Sequence, residues 1–250
     1  MAVGVLVTAS GVGDNNTPPV VPSAGTDRYW LIAVMKSGTW TNIPSTVIVA
    51  GTTSTTLNLI ASNNANKQKS ALYGCKDADF GTSPTSGNGD LTYNADGDTP
   101  SSTNIVVAGI VCDGVDQTTP FTDQINVGWD TDSTGPSTDF SFTLDEVDNG
   151  AGVAFCSDDN ASAAYVLTDN SYAKQGDGPW TQSTNCSAEC ASKLITSTVS
   201  TVTTTLTAGS DDKGTLAIML LPTGGAASNT DVNFTGANRG VARGVARSVG

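Results

Sequence analysis

The chain has 250 residues, of which 14% are charged, contains no histidine and carries a formal net charge of −13. Such an acidic balance excludes nucleic acid as the main partner, because phosphate binding needs clustered Lys and Arg. The lack of histidine removes Ser-His and Cys-His nucleophilic pairs and His-ligated zinc.

Ser and Thr together number 61, and stiff, branched Thr and Val side chains suit a pleated surface better than a helix. Strands are predicted in chain order at 2–9 (AVGVLVTA) and, after a Pro- and Gly-rich break, at 27–37 (DRYWLIAVMKS). In the second, Tyr29, Leu31, Ala33 and Met35 share one face and Trp30, Ile32 and Val34 the other. Both faces are apolar, so this strand belongs in the middle of a sheet covered on each side. Further strands are read at 45–51, 55–62 and 70–75, at the short spacing of antiparallel structure. Residues 76–101 read as a polar surface excursion with room for one short strand around Leu91 and Tyr93.

A second continuously apolar run at 103–114 (TNIVVAGIVCDG) again suits a central strand. Strands follow at 125–129, 138–146, 152–157 and 163–169. TNCSAECAS reads as a loop, in which Cys186 and Cys190 either close a short disulfide or stay reduced. Cys75, Cys112 and Cys156 end apolar runs and read as small buried hydrophobes. Residues 194–209 form one half-exposed strand or two strands with a bend, and TLAIMLLP at 215–222 is a buried last strand ended by Pro222. The expected fold is all-β: an antiparallel two-sheet β-sandwich, jelly-roll-like, over 1–225, with a short extended or helical C-terminal tail over 226–250. MAVGVLVTASGVG lacks the basic start of a secretory signal, and no run approaches membrane-spanning length, so membrane insertion is not expected.

Four stretches carry a resemblance: AGTDRYWLIAVMKS, STVIVAG, GIVCDGVDQTTPF and KGTLAIMLLPTGG, spanning residue 24 to about 225. Together they resemble β-sandwich domains of tailed-phage virion proteins and some bacterial surface proteins. The resemblance implies a jelly-roll-like module in a particle or on a surface, made in the host cytoplasm and carried on the virion, with no catalytic residue and no cofactor.

The chain ends in NRGVARGVARSVG, with Arg239, Arg243 and Arg247 at every fourth position. Residues 1–223 sum to −15 and residues 224–250 to +2, so the sign reverses at the end of the last strand. In a helix the three arginines share one face with Val241, Val245 and Val249 roughly opposite; in an extended chain all six share one face. Either way one surface is cationic, and Arg grips carboxylates in a bidentate fork. The expected partner is therefore an acidic neighbouring subunit among other virion proteins, with a disordered end as the competing reading. A homo-oligomer is expected from the habit of identical chains, though no interface signature selects its order.

Three further constellations are candidates. Asn94, Asp96 and Asp98 alternate as at the start of a calcium loop, but Thr99 stands where Gly is wanted and no Glu follows, so an Asp-Gly turn competes. Trp40, Trp129 and Trp180 lie beside turn residues and could stack on sugar rings of a cell-surface glycan, or could close the ends of the core. Asp145 with Glu146 and Asp148, or Asp158 with Asp159, supply the paired carboxylates of a glycosidase, or else solvated acidic turns. The readings in order are a non-enzymatic virion protein, decorating a capsid or associated with a tail; a carbohydrate-binding or adhesive module; and a carboxylate-based glycosidase.

Overall fold

The computed structural model describes residues 1–12, 25–37, 46–50, 55–63, 68–76, 79, 90–94, 105–129, 140–158, 166–168, 172–175, 180–182, 186–196, 202–207 and 213–224. Among them every regular element is a strand: β1 (Gly4–Val12), β2 (Tyr29–Ser37), β3 (Thr46–Ala50), β4 (Thr55–Asn63), β5 (Gln68–Lys76), β6 (Asp90–Asn94), β7 (Ile105–Asp113) and β8 (Phe121–Trp129). There follow β9 (Phe140–Leu144), β10 (Ala151–Asp158), β11 (Val166–Thr168), β12 (Ala173–Lys174), β13 (Trp180–Gln182), β14 (Cys186–Leu194), β15 (Val202–Thr207) and β16 (Lys213–Leu220). The fold is all-β, an antiparallel β-sandwich of two main sheets.

The first sheet has seven strands in the order β1-β7-β2-β5-β4-β3-β6. The second runs β12-β14-β10-β16-β8, with β13 also paired to β14. A small third sheet, β11-β15-β9, completes the set. All the pairings are antiparallel. The two main sheets stack with their strands in matching order: β14 lies against β7 and β2, β10 against β2 and β5, β16 against β5 and β4, and β8 against β4. The strands are partitioned at one point of the chain, with β1 to β7 all in the first sheet and the main strands of the second all later.

Alternation along each strand builds the core between the sheets. Tyr29, Leu31, Ala33 and Met35 of β2 and Val106, Ala108, Ile110 and Cys112 of β7 meet Ala151, Val153 and Phe155 of β10, Ala188 and Cys190 of β14, and Leu216, Ile218 and Leu220 of β16. The opposite face of the first sheet is buried too, through Trp30, Ile32, Val34, Tyr73, Val107 and Val111. The doubly apolar pattern of β2 therefore does what a two-faced strand requires, and each large side chain so buried contributes about 1.5–3 kcal/mol. The outer face of the second sheet, made of Ala154, Ala191, Ala217 and Met219, is covered by Leu144, Tyr172 and Ile195.

Two expectations are corrected here. The segment read as a loop around Cys186 and Cys190 is strand β14, paired with β10 from Ser187 to Leu194 and with β13 at Cys186. Four residues of strand hold the two cysteines about 13 Å apart, well past the limit of about 7 Å between Cα atoms for a disulfide, and Cys190 is a buried thiol. The short cross-link is therefore impossible in this fold. The stretch 194–209 resolves into the end of β14 at Leu194 and a separate β15. Cys75, Cys112 and Cys156 are buried thiols, as the apolar runs before them imply.

Candidate functional site

Strand direction gives the sandwich two unlike ends. At one end the polar backbone of several connections is laced together. Gly25 and Asp27 adopt left-handed backbone (φ 107° and 55°), which turns the chain into β2; Asp is among the few non-glycine residues that tolerate this region. That turn is fixed from two sides: the Val115 amide donates to the Asp27 carbonyl at 3.0 Å, and the Thr223 hydroxyl donates to Asp27 Oδ2 at 3.1 Å.

The corner that carries the chain from the first sheet to the second, GVDQTTP at 114–120, lies in the same lacework. Gly114 has φ 66°, and a Cβ there would meet the Ala2 carbonyl, so glycine is required on two counts. Asp116 Oδ1 accepts from the Thr118 and Thr119 amides at 2.7 and 2.8 Å and so closes the turn. Gln117 Nε2 donates to the carbonyls of Val115 (3.0 Å) and Arg28 (3.3 Å), while its own backbone carbonyl accepts Lys76 Nζ at 2.8 Å. The Leu221 and Thr223 amides donate to the Pro120 and Gly114 carbonyls, and the Asp116 amide donates to the Leu221 carbonyl. These bonds tie the first sheet, the crossing corner and the exit of β16 into one unit.

Beside this lacework lies a buried ion pair. Lys193 Nζ is 2.7 and 3.0 Å from the two oxygens of Glu146, whose side chain is fully buried, and 5.9 Å from the centre of the Tyr172 ring. Burial and the Glu146 charge together push the Tyr172 phenol above its ordinary range. The nearby Asp148 accepts from Asn149 Nδ2 at 3.1 Å, and Asp145 is exposed. The trio Asp145, Glu146 and Asp148, a candidate for two-carboxylate chemistry, is thus divided: its one buried member is taken up by Lys193. Buried charges need such pairing. No constellation of three His, Cys, Asp or Glu side chains suited to a metal occurs among the described residues.

At the far end the register aligns a single row across the second sheet. Trp129 of β8 pairs with Lys213 of β16, Lys213 with Asp158 of β10, Asp158 with Ser187 of β14, and Ser187 with Thr181 of β13, next to Trp180. The backbones of Trp129 and Trp180 therefore lie at the same end of the sheet on opposite edges, four strand spacings or about 19 Å apart. β2 also ends at this pole, with Ser37 paired to Gln68; Trp40 lies outside the described residues. Asn94 is the last residue of β6, the edge strand of the first sheet, paired with Thr46; Asp96 and Asp98 lie outside the described residues. No known protein family, curated protein sequence or solved structure matches this chain.

β16 runs from Lys213 at the far end to Leu220 at the laced end, and Leu221, Pro222, Thr223 and Gly224 follow there. The chain beyond Gly224 therefore departs from the laced end, beside Met1, whose amine donates to the Thr223 carbonyl at 3.1 Å. Arg239, Arg243, Arg247, Val241 and Val245 lie outside the described residues. The sequence reading missed the residues that build the laced end. Only Gly-Thr-Asp-Arg at 25–28 and the Gly-Val-Asp corner signalled them, as turn chemistry rather than as a site.

Proposed function

We propose that this chain is a non-enzymatic structural protein of a phage particle, held on the capsid exterior or tail by its C-terminal segment, residues 226–250. The observation that supports this reading is the placement of the last described residues. The chain leaves the body at the laced end, where hydrogen bonds fix the exit, and its charge changes from −15 to +2 as it does so. A cationic strap leaving a rigid, acidic body is suited to an acidic neighbouring subunit, which Arg forks grip through carboxylates. The opposite end is then free to face outward. Removing residues 238–250 should release the protein from its particle while leaving the sandwich folded, measured by occupancy after gradient purification and by circular dichroism. Full occupancy of the truncated chain would overturn the reading.

A carbohydrate-binding role is favoured by one observation, the placement of Trp129 and Trp180 at the same end of the second sheet. Their spacing of about 19 Å fits contact with an extended saccharide rather than a single sugar. Glycan-array binding that falls on Trp129→Ala and on Trp180→Ala supports this role, and binding untouched by both substitutions counts against it.

A further inference from the structure

Each of the two main sheets has two edges, and among the described residues three of those edges carry a device against further pairing. β6, at one edge of the first sheet, is five residues long and opens on Asp90. β8, at one edge of the second, carries Asp123, shifts its register with β16 between Met219 and Leu220, and has β9 lying beside it. The opposite edge of the second sheet is broken into β12 and β13, of two and three residues. Short strands, charges and bulges are how sheets keep a row of unpaired amides and carbonyls from recruiting another strand.

The edge formed by β1 differs. It runs for nine residues, GVLVTASGV, with neither charge nor proline. Its register shift lies between Val5 and Val7, toward the laced end, and from Val7 to Val12 it pairs with Val111 to Val106 of β7 without a break. Beside it on the second sheet lies β13, WTQ, which is also uncharged. This side of the sandwich is therefore a neutral strip on a chain of net charge −13. Direction and charge decide what fits it. A segment of the same chain leaving Gly224 directly would start at the end where β1 starts and run parallel to it, whereas all the described pairings are antiparallel, the slightly stronger arrangement. A second copy related by a two-fold axis presents its own β1 antiparallel without further adjustment. Two bodies of like charge repel least along an uncharged strip.

We infer that two copies of this chain pair through β1 about a two-fold axis, joining their seven-stranded first sheets into one continuous antiparallel sheet. The outward backbone amides and carbonyls of Val7 to Val12 supply the bonds. Pairing uses up this edge on both copies, so assembly closes at the dimer. The interface runs along the side of the sandwich between the laced end and the far end, and it stands or falls separately from the role proposed for the tail.

The test is sedimentation of the full chain over a range of concentration and salt, with hydrogen exchange of the β1 amides read at both ends of the concentration range. The expected species has twice the mass of the 25.3 kDa chain, tightens as salt screens the like charges, and protects alternate amides of Val7 to Val12 that exchange freely on dilution. Ala9→Pro and Ser10→Pro separate the two sides of the strand, because successive amides of an antiparallel strand point to opposite neighbours. One of these variants loses a bond to β7; the other should stay folded by circular dichroism and sediment as a monomer. Exchange in the wild-type chain gives the answer even where neither variant folds. A monomer at every concentration, a trimer or larger ring, or a dimer that weakens with salt, as arginine–carboxylate attachment would, overturns the inference. Protection of β1 that is unchanged on dilution also overturns it, by placing a segment of the same chain on that edge.

Discussion

Lys193 holds both oxygens of Glu146 in a fork of 2.7 and 3.0 Å, and the two residues lie 47 positions apart in the chain. The pair fastens the turn after β9 to the end of β14. Lys193 keeps 16% of its side-chain exposure while Glu146 keeps none, so the loss of either partner is unequal. Lys193→Met leaves a buried carboxylate without its counter-charge and should cost about 3 kcal/mol, the low end for such breaks because water reaches the lysine side. Adding Glu146→Gln to that variant should restore a large part. Urea denaturation of the two single variants and the double variant measures the coupling directly.

Gln117 offers a smaller test at the crossing corner. Gln117→Ala strips the Arg28 and Val115 carbonyls of a donor. The expected loss is about 1 kcal/mol rather than more, since Gln117 Oε1 is itself buried without a hydrogen-bond partner and its removal relieves that cost. The backbone bond from Lys76 to residue 117 should survive the substitution, and Lys76→Met should cost a similar amount separately, by thermal melting.

Alkaline pH should weaken the fold in a defined window. Burial pushes the Cys112 and Cys156 thiols up to about 12 from an ordinary 9.0, and raises Cys190 and the Tyr29 and Tyr172 phenols as well. At neutral pH and below, folded and unfolded chains hold these protons alike, whereas at pH 9 the unfolded thiols have already lost about half of theirs. Between about 9 and 12 the unfolded chain releases them and the folded chain keeps them, so stability declines as pH rises. Each buried thiol adds up to about 1.4 kcal/mol per pH unit to that slope. Denaturation midpoints at about pH 6, 7.5 and 10.5 should be flat over the first interval and fall over the second, as far as these groups are concerned.

Gly152 sits directly beneath the Tyr172 hydroxyl, where a Cβ would occupy the space of the ring's polar end. Gly152→Ala should displace Tyr172, loosen its contact with Lys193 and cost about 1–3 kcal/mol. Near-ultraviolet circular dichroism should change with the melting temperature; an unchanged spectrum and an unchanged melt would show that the ring is not held there.

Legibility in the sequence followed burial on two faces. β2, β7 and β16 read clearly because continuous apolar runs leave no other placement, and the face assignment of Tyr29 to Met35 matches the two core layers. β14 did not, because CSAECASKL contains small and charged residues of weak strand preference. Its strand state comes from partners on both sides, β10 and β12 with β13, which no local pattern encodes. The same reason hid the Lys193–Glu146 pair, whose halves are joined only once β14 exists. The candidate recognition residues were legible as chemistry and not as positions: nothing local places Trp129 and Trp180 at one end, since only the register through β16, β10 and β14 does so.

The single passage from one sheet to the other sets a timetable for synthesis. All seven strands of the first sheet leave the ribosome before β10, β14 and β16 have been translated. Translation of the roughly 100 residues from the crossing corner to Leu220 takes on the order of ten seconds at 5–20 residues per second. During that interval the greasy flank bearing Leu31, Met35 and Ile110 waits for its lid, a nascent-chain liability that a chaperone or rapid translation of the second half would have to cover.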